Sequence, residues 1–133
     1  MTERKEQGMD IRVPFQAPSA SVVRQELRSW LEGQGFTGER VDDARVVVSE
    51  LVGNSVRHAA PLPVNDLVVS WSLEADDLVI SVSDGGSASR PHAVDADNSD
   101  ISGRGLSIVD ALVKQWWVED NHGQTTVHVR IPL

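Results

Sequence analysis

A chain of 133 residues with 40% hydrophobic content is long enough for one domain with a real core and too short for two. Its 20 acidic and 12 basic residues give a net charge of −8 without strong segregation, which argues against a sequence-independent grip on nucleic acid or anionic lipid. There is no cysteine, so disulfides and thiolate metal sites are excluded. No apolar run reaches the length of a membrane span, and "MTERKEQGMD" is too polar for a signal peptide. The expectation is a soluble cytoplasmic protein, with residues 1–9 a flexible terminus and 10–133 a single domain.

In chain order, "DIRVPFQA" (Asp10 to Ala17) alternates Ile11, Val13 and Phe15 with polar neighbours, which predicts a strand that Pro14 confines to a sheet edge. "SASVVRQELRSWLEGQG" opens with serines able to cap a helix, sets Val23, Leu27, Trp30 and Leu31 at helical spacing, and stops at Gly33 and Gly35. A second helix runs from Val41 to His58, with Val41, Ala44, Val48, Leu51 and Ser55 on one side and Pro61 and Pro63 beyond its end. "DLVVSWSLE" and "DLVISVSD" alternate as half-buried strands and join through Ala75 and Asp76 into a hairpin. Ser87 to Ser102 has almost no periodicity, and a loop of that length is usually functional or disordered.

"GLSIVDALVKQW" predicts a third helix, and "QWWVED" and "TTVHVRIPL" a last strand pair around the turn "NHGQ". Strand, helix, helix, strand, strand, loop, helix, strand, strand is the order of an α+β fold. It predicts a two-layer sandwich with helices on one face of a mixed, mostly antiparallel sheet.

The chemistry concentrates in three places. On "SELVGNSVRHA", Glu50 and Asn54 are four residues apart and stack on one helix face beside the apolar stripe. A carboxylate beside a carboxamide suits metal-assisted phosphoryl transfer, the amide oxygen ligating Mg²⁺ and the carboxylate handling a proton. On this stretch alone, an ordinary helix-face pair with Asn54 or Arg57 is the commoner arrangement. "VSDGG" ends a strand with Asp84, Gly85 and Gly86, which by itself is more often a tight turn. "SGRGLSIV" sets Gly103 and Gly105 at a helix start, where free N–H groups suit phosphate, although many helices begin this way. Neither the Walker pattern nor the dinucleotide fingerprint is present.

In this order and spacing, the motifs resemble those of the GHKL ATPase superfamily (gyrase, the heat-shock chaperone, histidine kinases and mismatch-repair ATPases), most closely the bacterial anti-sigma factor serine kinases. "SELVGNSVRHA" looks like the N box, "DGG" the first glycine box, "GRGLSIV" the second, and "GQTTVHVRIP" the terminal Gly-x-Thr strand. The similarity spans roughly Pro14 to Leu133, including "VVRQELRSWL" as the family's first helix. The resemblance implies that Glu50 is the general base, that Asn54 ligates Mg²⁺ and that Asp84 accepts from the adenine amino group. It implies further that Gly86 lets the base approach and that Thr125 lies beside it. Gly103, Arg104 and Gly105, with Leu106 after them, match the turn that wraps the phosphates, and 87–102 matches a lid.

That lid carries Asp95, Asp97 and Asp100 against Arg90 alone, which leaves the phosphate grip to Arg104 and backbone donors. Arg57 either contacts phosphate or places positive charge at a helix end, the second being preferred. His92, His122 and His128 lack metal spacing and are expected to be solvated. Of Trp116 and Trp117, on opposite sides of a strand, one is expected in the core and the other open to a partner.

The resemblance implies ATP and Mg²⁺ as cofactors, a sigma factor or an anti-sigma antagonist as partner, and a homodimer. Two functions remain open. One is a protein serine/threonine kinase acting on the antagonist and regulating transcription by partner switching. The other is a nucleotide-binding interaction module with little or no kinase activity. A histidine kinase is less expected, since no helical hairpin bears a phosphoacceptor histidine.

Overall fold

The computed structural model describes residues 8–86 and 107–133. The elements are β1 (Gly8–Pro14), α1 (Ser19–Gly33), α2 (Glu39–His58), β2 (Asp66–Glu74), β3 (Asp77–Asp84), α3 (Ser107–Leu112), β4 (Gln115–Asn121) and β5 (Gln124–Pro132). The strands form one sheet in the order β1-β2-β3-β5-β4, and all four pairings are antiparallel. Pro14 ends the edge strand β1, where its missing N–H breaks no ladder.

Register fixes which side chains face the helices. Ile11, Val69, Val82, Val127 and Val118 form one cross-strand row, and Met9, Trp71, Ile80, Val129 and Trp116 the next. Against these rows pack Val23, Leu27 and Leu31 of α1 and Val41, Ala44, Val47, Val48, Leu51 and Val52 of α2, all buried. Each Leu or Val so enclosed contributes about 1.5–3 kcal/mol relative to exposure, which makes this interface the main source of stability. The alternate positions, among them Ser70, Ser81, His128 and Trp117, lie on the other face of the sheet.

The helix ends follow local chemistry with one exception. Gly35 takes φ +95, and Phe36 donates its N–H back to the Leu31 carbonyl, closing α1 as glycine-terminated helices close. Glu39 and Asp42 sit in the first turn of α2, and Arg57 and His58 in the last, each sign where the helix dipole favours it. The exception is the expected serine cap of α1. Its N-cap position is Pro18, and Ser19 Oγ donates instead to the Pro14 carbonyl at 2.7 Å, tying the helix start to β1.

The third helix is shorter than its sequence predicts. α3 stops at Leu112, because Lys114 donates its backbone N–H to the Arg130 carbonyl at 2.7 Å and Gln115 already pairs with Arg130 in the sheet. Val109 anchors α3 in the core, and the helix packs on α2. No described helix is long and apolar enough to cross a membrane.

Two expectations about aromatic residues change. Trp116 is the core member of its pair, but Trp117 stacks on the His128 ring at 5.0 Å and 14°. His128 is therefore not a solvated side chain. Its Nδ1 lies 2.6 Å from Ser81 Oγ and its Nε2 2.6 Å from Glu119 Oε1, because β3, β5 and β4 are neighbours and bring the three residues onto one face. His122 is exposed in the β4–β5 turn, where it and Gly123 take φ +53 and +83.

Candidate functional site

The site is assembled at the ends of three elements. The last turns of α2 carry Glu50, Asn54, Ser55 and Arg57; Asp84 ends β3; and Thr125 lies near the start of β5 as the register partner of Asp84. Two backbone hydrogen bonds hold the chain after α2 against the chain after β3. Gly85 donates to the Ala60 carbonyl at 2.7 Å, and Ala60 donates to the Gly86 carbonyl at 2.9 Å.

The glycines are required by space as well as by conformation. A Cβ on Gly85 would lie 2.3 Å from the Pro61 carbonyl oxygen, closer than any side chain tolerates. Gly86 has φ +89, and a Cβ there would meet Thr125 Oγ1 at 3.2 Å. Only glycine therefore lets this turn run flush between α2 and β5.

Asp84 is 5% exposed, and hydrogen bonds hold its carboxylate. Ser55 Oγ donates to Oδ2 at 2.6 Å, and the Gly86 N–H donates to Oδ1 at 2.8 Å. Thr125, equally buried, donates its hydroxyl to Asp120 Oδ1 at 2.6 Å. The result is a carboxylate, a threonine oxygen and a glycine backbone brought side by side with a fixed pattern of protons.

One residue before Ser55 on α2, Asn54 is also 5% exposed, and its Oδ1 is buried with no hydrogen-bond partner among the described residues. Arg45 Nε, Asp66 Oδ1 and Trp71 Nε1 share that condition. Arg45 and Asp66 nevertheless keep an ion pair through another atom, and the Trp71 ring meets Trp30 edge-on at 6.4 Å. Among the described residues, the Asn54 oxygen has no comparable compensation. Glu50, one turn earlier on the same side of the helix, is half-buried. Arg57 is exposed in the last turn and folds back over its own helix, so that a Cβ on Gly53 would approach its Nη1 to 3.1 Å.

A buried carboxamide oxygen without a donor is what a hard divalent cation takes as a ligand, so Asn54 fits Mg²⁺. Asp84 and Thr125 fit the amino-bearing end of a purine, which wants a buried acceptor and a close backbone. Among the described residues there is no group of three or more His, Cys, Asp or Glu able to hold a metal by themselves. Gly103, Arg104, Gly105 and Leu106, and the lid 87–102 with Arg90, Asp95, Asp97 and Asp100, lie outside the described residues. The helix that follows them, α3, packs on α2, the helix that carries Glu50 and Asn54.

Three contributors escaped the sequence reading. Ser55 reads as part of the apolar stripe of α2, and the signal that marks it is a hydroxyl in line with Val41, Ala44, Val48 and Leu51. Gly85 stands inside the "DGG" motif with no role of its own, and its close approach to Pro61 is visible only in space. Asp120 pairs with Thr125 across a hairpin whose register the "NHGQ" turn already implied.

The sequence profile of the histidine kinase-like ATPase domain matches residues 13–131. The chain belongs to that family. Members similar to it include the Serine-protein kinase RsbW of Staphylococcus aureus strains MRSA252 and Newman, each 29% identical over 136 residues, covering 92% of this chain and 86% of the relative. Among solved structures, the RsbU and RsbW domains of a Mycobacterium tuberculosis protein superpose with a TM-score of 0.72 at 26% identity. That match covers 95% of this chain, which spans about a third (32%) of the mycobacterial one. The resemblance drawn from the motifs to the GHKL superfamily and its serine kinases holds in both sequence and fold.

Proposed function

We propose that the protein binds ATP with Mg²⁺ and phosphorylates a serine or threonine of an anti-sigma antagonist, regulating transcription by partner switching. The observation that carries this reading is the Asn54 oxygen, buried and without a hydrogen-bond partner among the described residues, one turn from the half-buried carboxylate of Glu50. Family membership and the similarity to proteins named serine-protein kinases support it. A cytoplasmic location and a homodimer belong to the same reading, the second testable by light scattering.

In this scheme Asp84 orients the base through an acceptor that Ser55 and Gly86 hold in place, and the Gly85–Gly86 turn keeps that end closed against α2. Asn54 offers Oδ1 to the metal, which when bound supplies positive charge beside the phosphates. Glu50 takes the proton of the acceptor hydroxyl on a carboxylate oxygen. Gly103, Arg104, Gly105 and Leu106 wrap the phosphates, Arg57 adds charge at the end of α2, and Thr125 flanks the base.

Calorimetric titration with ATP, with and without Mg²⁺, tests the site, and transfer from labelled ATP to a candidate antagonist tests the reaction. Asp84→Asn should weaken ATP binding by about 1.5–3 kcal/mol, roughly 10- to 150-fold. Glu50→Gln should bind ATP normally and transfer nothing. Undiminished transfer by Glu50→Gln would remove its role as base. ATP binding by the wild type without transfer to any antagonist would leave a nucleotide-dependent binding module.

A further inference from the structure

Among the described residues, the proton donors identified around Asp84 are directed inward. Ser55 Oγ and the Gly86 N–H both donate to the Asp84 carboxylate, the Gly85 N–H to Ala60, and the Ala60 N–H to Gly86. The remaining hydroxyl here among the described residues belongs to Thr125. A threonine hydroxyl has one proton and two lone pairs, and an ionised carboxylate can only accept, so the 2.6 Å contact with Asp120 Oδ1 places that proton on the line to Asp120. Thr125 Oγ1 thus presents lone pairs where it adjoins Gly86, beside the Asp84 carboxylate.

Given the adenine-nucleotide reading of the site, we propose that Asp120 is a specificity-determining positioning residue, which by taking the Thr125 proton makes the described side chains at this end of the pocket, Asp84 and Thr125, acceptors toward the base. An exocyclic amino group brings two hydrogens to two acceptors. A 6-oxo purine brings a carbonyl oxygen to the same place and meets lone pairs on both strands, an arrangement that rejects it. Without Asp120 the Thr125 hydroxyl is free to rotate and donate, and the penalty on the oxo group falls. Asp120 lies at the exposed end of β4, outside the core, so its truncation leaves the packing between sheet and helices intact.

The test is calorimetric titration of the full chain with ATP and with inosine triphosphate, for the wild type, Asp120→Ala, Thr125→Val and the double variant. The expected result is a preference for ATP that falls about tenfold in Asp120→Ala, chiefly through tighter binding of the inosine nucleotide. Asp120→Asn, which keeps an acceptor for Thr125, should retain the preference. In the Thr125→Val background, Asp120→Ala should change the ratio no further, since there is no hydroxyl to orient. A merely structural hairpin contact would weaken both nucleotides alike, and an unchanged ratio in Asp120→Ala overturns the proposal. So does an equal change in the Thr125→Val background. Should Asp120→Ala not fold, Asp120→Leu carries the same expectation and the same refutation. Wild-type protein that binds neither nucleotide overturns the nucleotide reading itself, a failure visible before any variant is compared.

Discussion

Replacing Asn54 by leucine should make the free protein more stable and remove its Mg²⁺-dependent stabilisation by nucleotide. The Asn54 Oδ1 is buried and accepts no hydrogen bond among the described residues, a condition that costs about 1–3 kcal/mol relative to a satisfied or absent polar group. Leucine has the same four-atom branched outline with bulkier methyl ends, fills the site with apolar atoms and is the better helix former, so the penalty disappears without leaving a cavity. For a chain of 133 residues, 1 kcal/mol corresponds to a Tm shift of about 4 °C, which puts the expected rise at roughly 4–12 °C. Addition of Mg²⁺ and ATP at about 100 times Kd should then stabilise the wild type by about 2.7 kcal/mol and leave Asn54→Leu without a Mg²⁺-dependent shift. Thermal unfolding of both proteins, with nucleotide alone and with nucleotide plus Mg²⁺, reads both halves of the expectation. If ligand-free Asn54→Leu melts below the wild type, the oxygen is satisfied in solution and the metal-ligand argument fails. If the variant keeps a Mg²⁺-dependent shift, the metal binds elsewhere.

Gly85→Ala should destabilise by about 1–3 kcal/mol in denaturant unfolding, because its Cβ would come within 2.3 Å of the Pro61 carbonyl and force apart the Ala60–Gly86 bridge; an unchanged midpoint would refute the close approach. Lys114→Met should lower stability at neutral pH by an amount that shrinks in acid. Lys114 Nζ sits 2.9 Å from Asp77 Oδ2, and this hydrogen bond, opposed by burial and helped by Arg130, holds the Asp77 carboxyl below its ordinary 3.8. A carboxyl depressed on folding contributes stability above its unfolded pKa and loses it as pH falls through the folded value. The gap between wild type and variant should therefore be full at pH 5 and above and narrow below about 3.8; a gap constant down to pH 3 would show that Lys114 acts by packing alone.

The parts of the fold legible in sequence are those where one local period decides the outcome. The apolar stripe of α2, the hairpin at Ala75 and Asp76, the "NHGQ" turn and the edge position that Pro14 imposes all rest on rules spanning a few residues. The errors share a different cause. "ALVKQW" carries helical periodicity, but Lys114 and Gln115 gain more from Arg130 in the sheet and from Asp77, partners distant in sequence. His128 looked solvated because Ser81 and Glu119 reach it only through the strand order β3-β5-β4. Ser19 looked like a cap because nothing in the sequence announces the Pro14 carbonyl beside it.

The same division runs through the candidate site. Motif spacing identifies which residues meet: Glu50 and Asn54 by helical geometry, Asp84 and Gly86 by the end of a strand, Thr125 by its place after a turn. It does not identify where the protons go. Asp84 reads in sequence as a carboxylate available to a ligand, whereas in the fold it already accepts from Ser55 and Gly86, and what remains is a positioned acceptor, not a free charge. Thr125 reads as a residue able to donate or accept, and Asp120 settles the choice. Asn54 reads in sequence as a carboxamide placed beside Glu50 for a metal, and the fold adds that its oxygen is buried with no hydrogen-bond partner among the described residues. Chemistry at this site is therefore set less by which residues are present than by which of their hydrogen bonds are already made. Variants that keep the motif but free one internal donor should consequently alter nucleotide preference before they abolish binding.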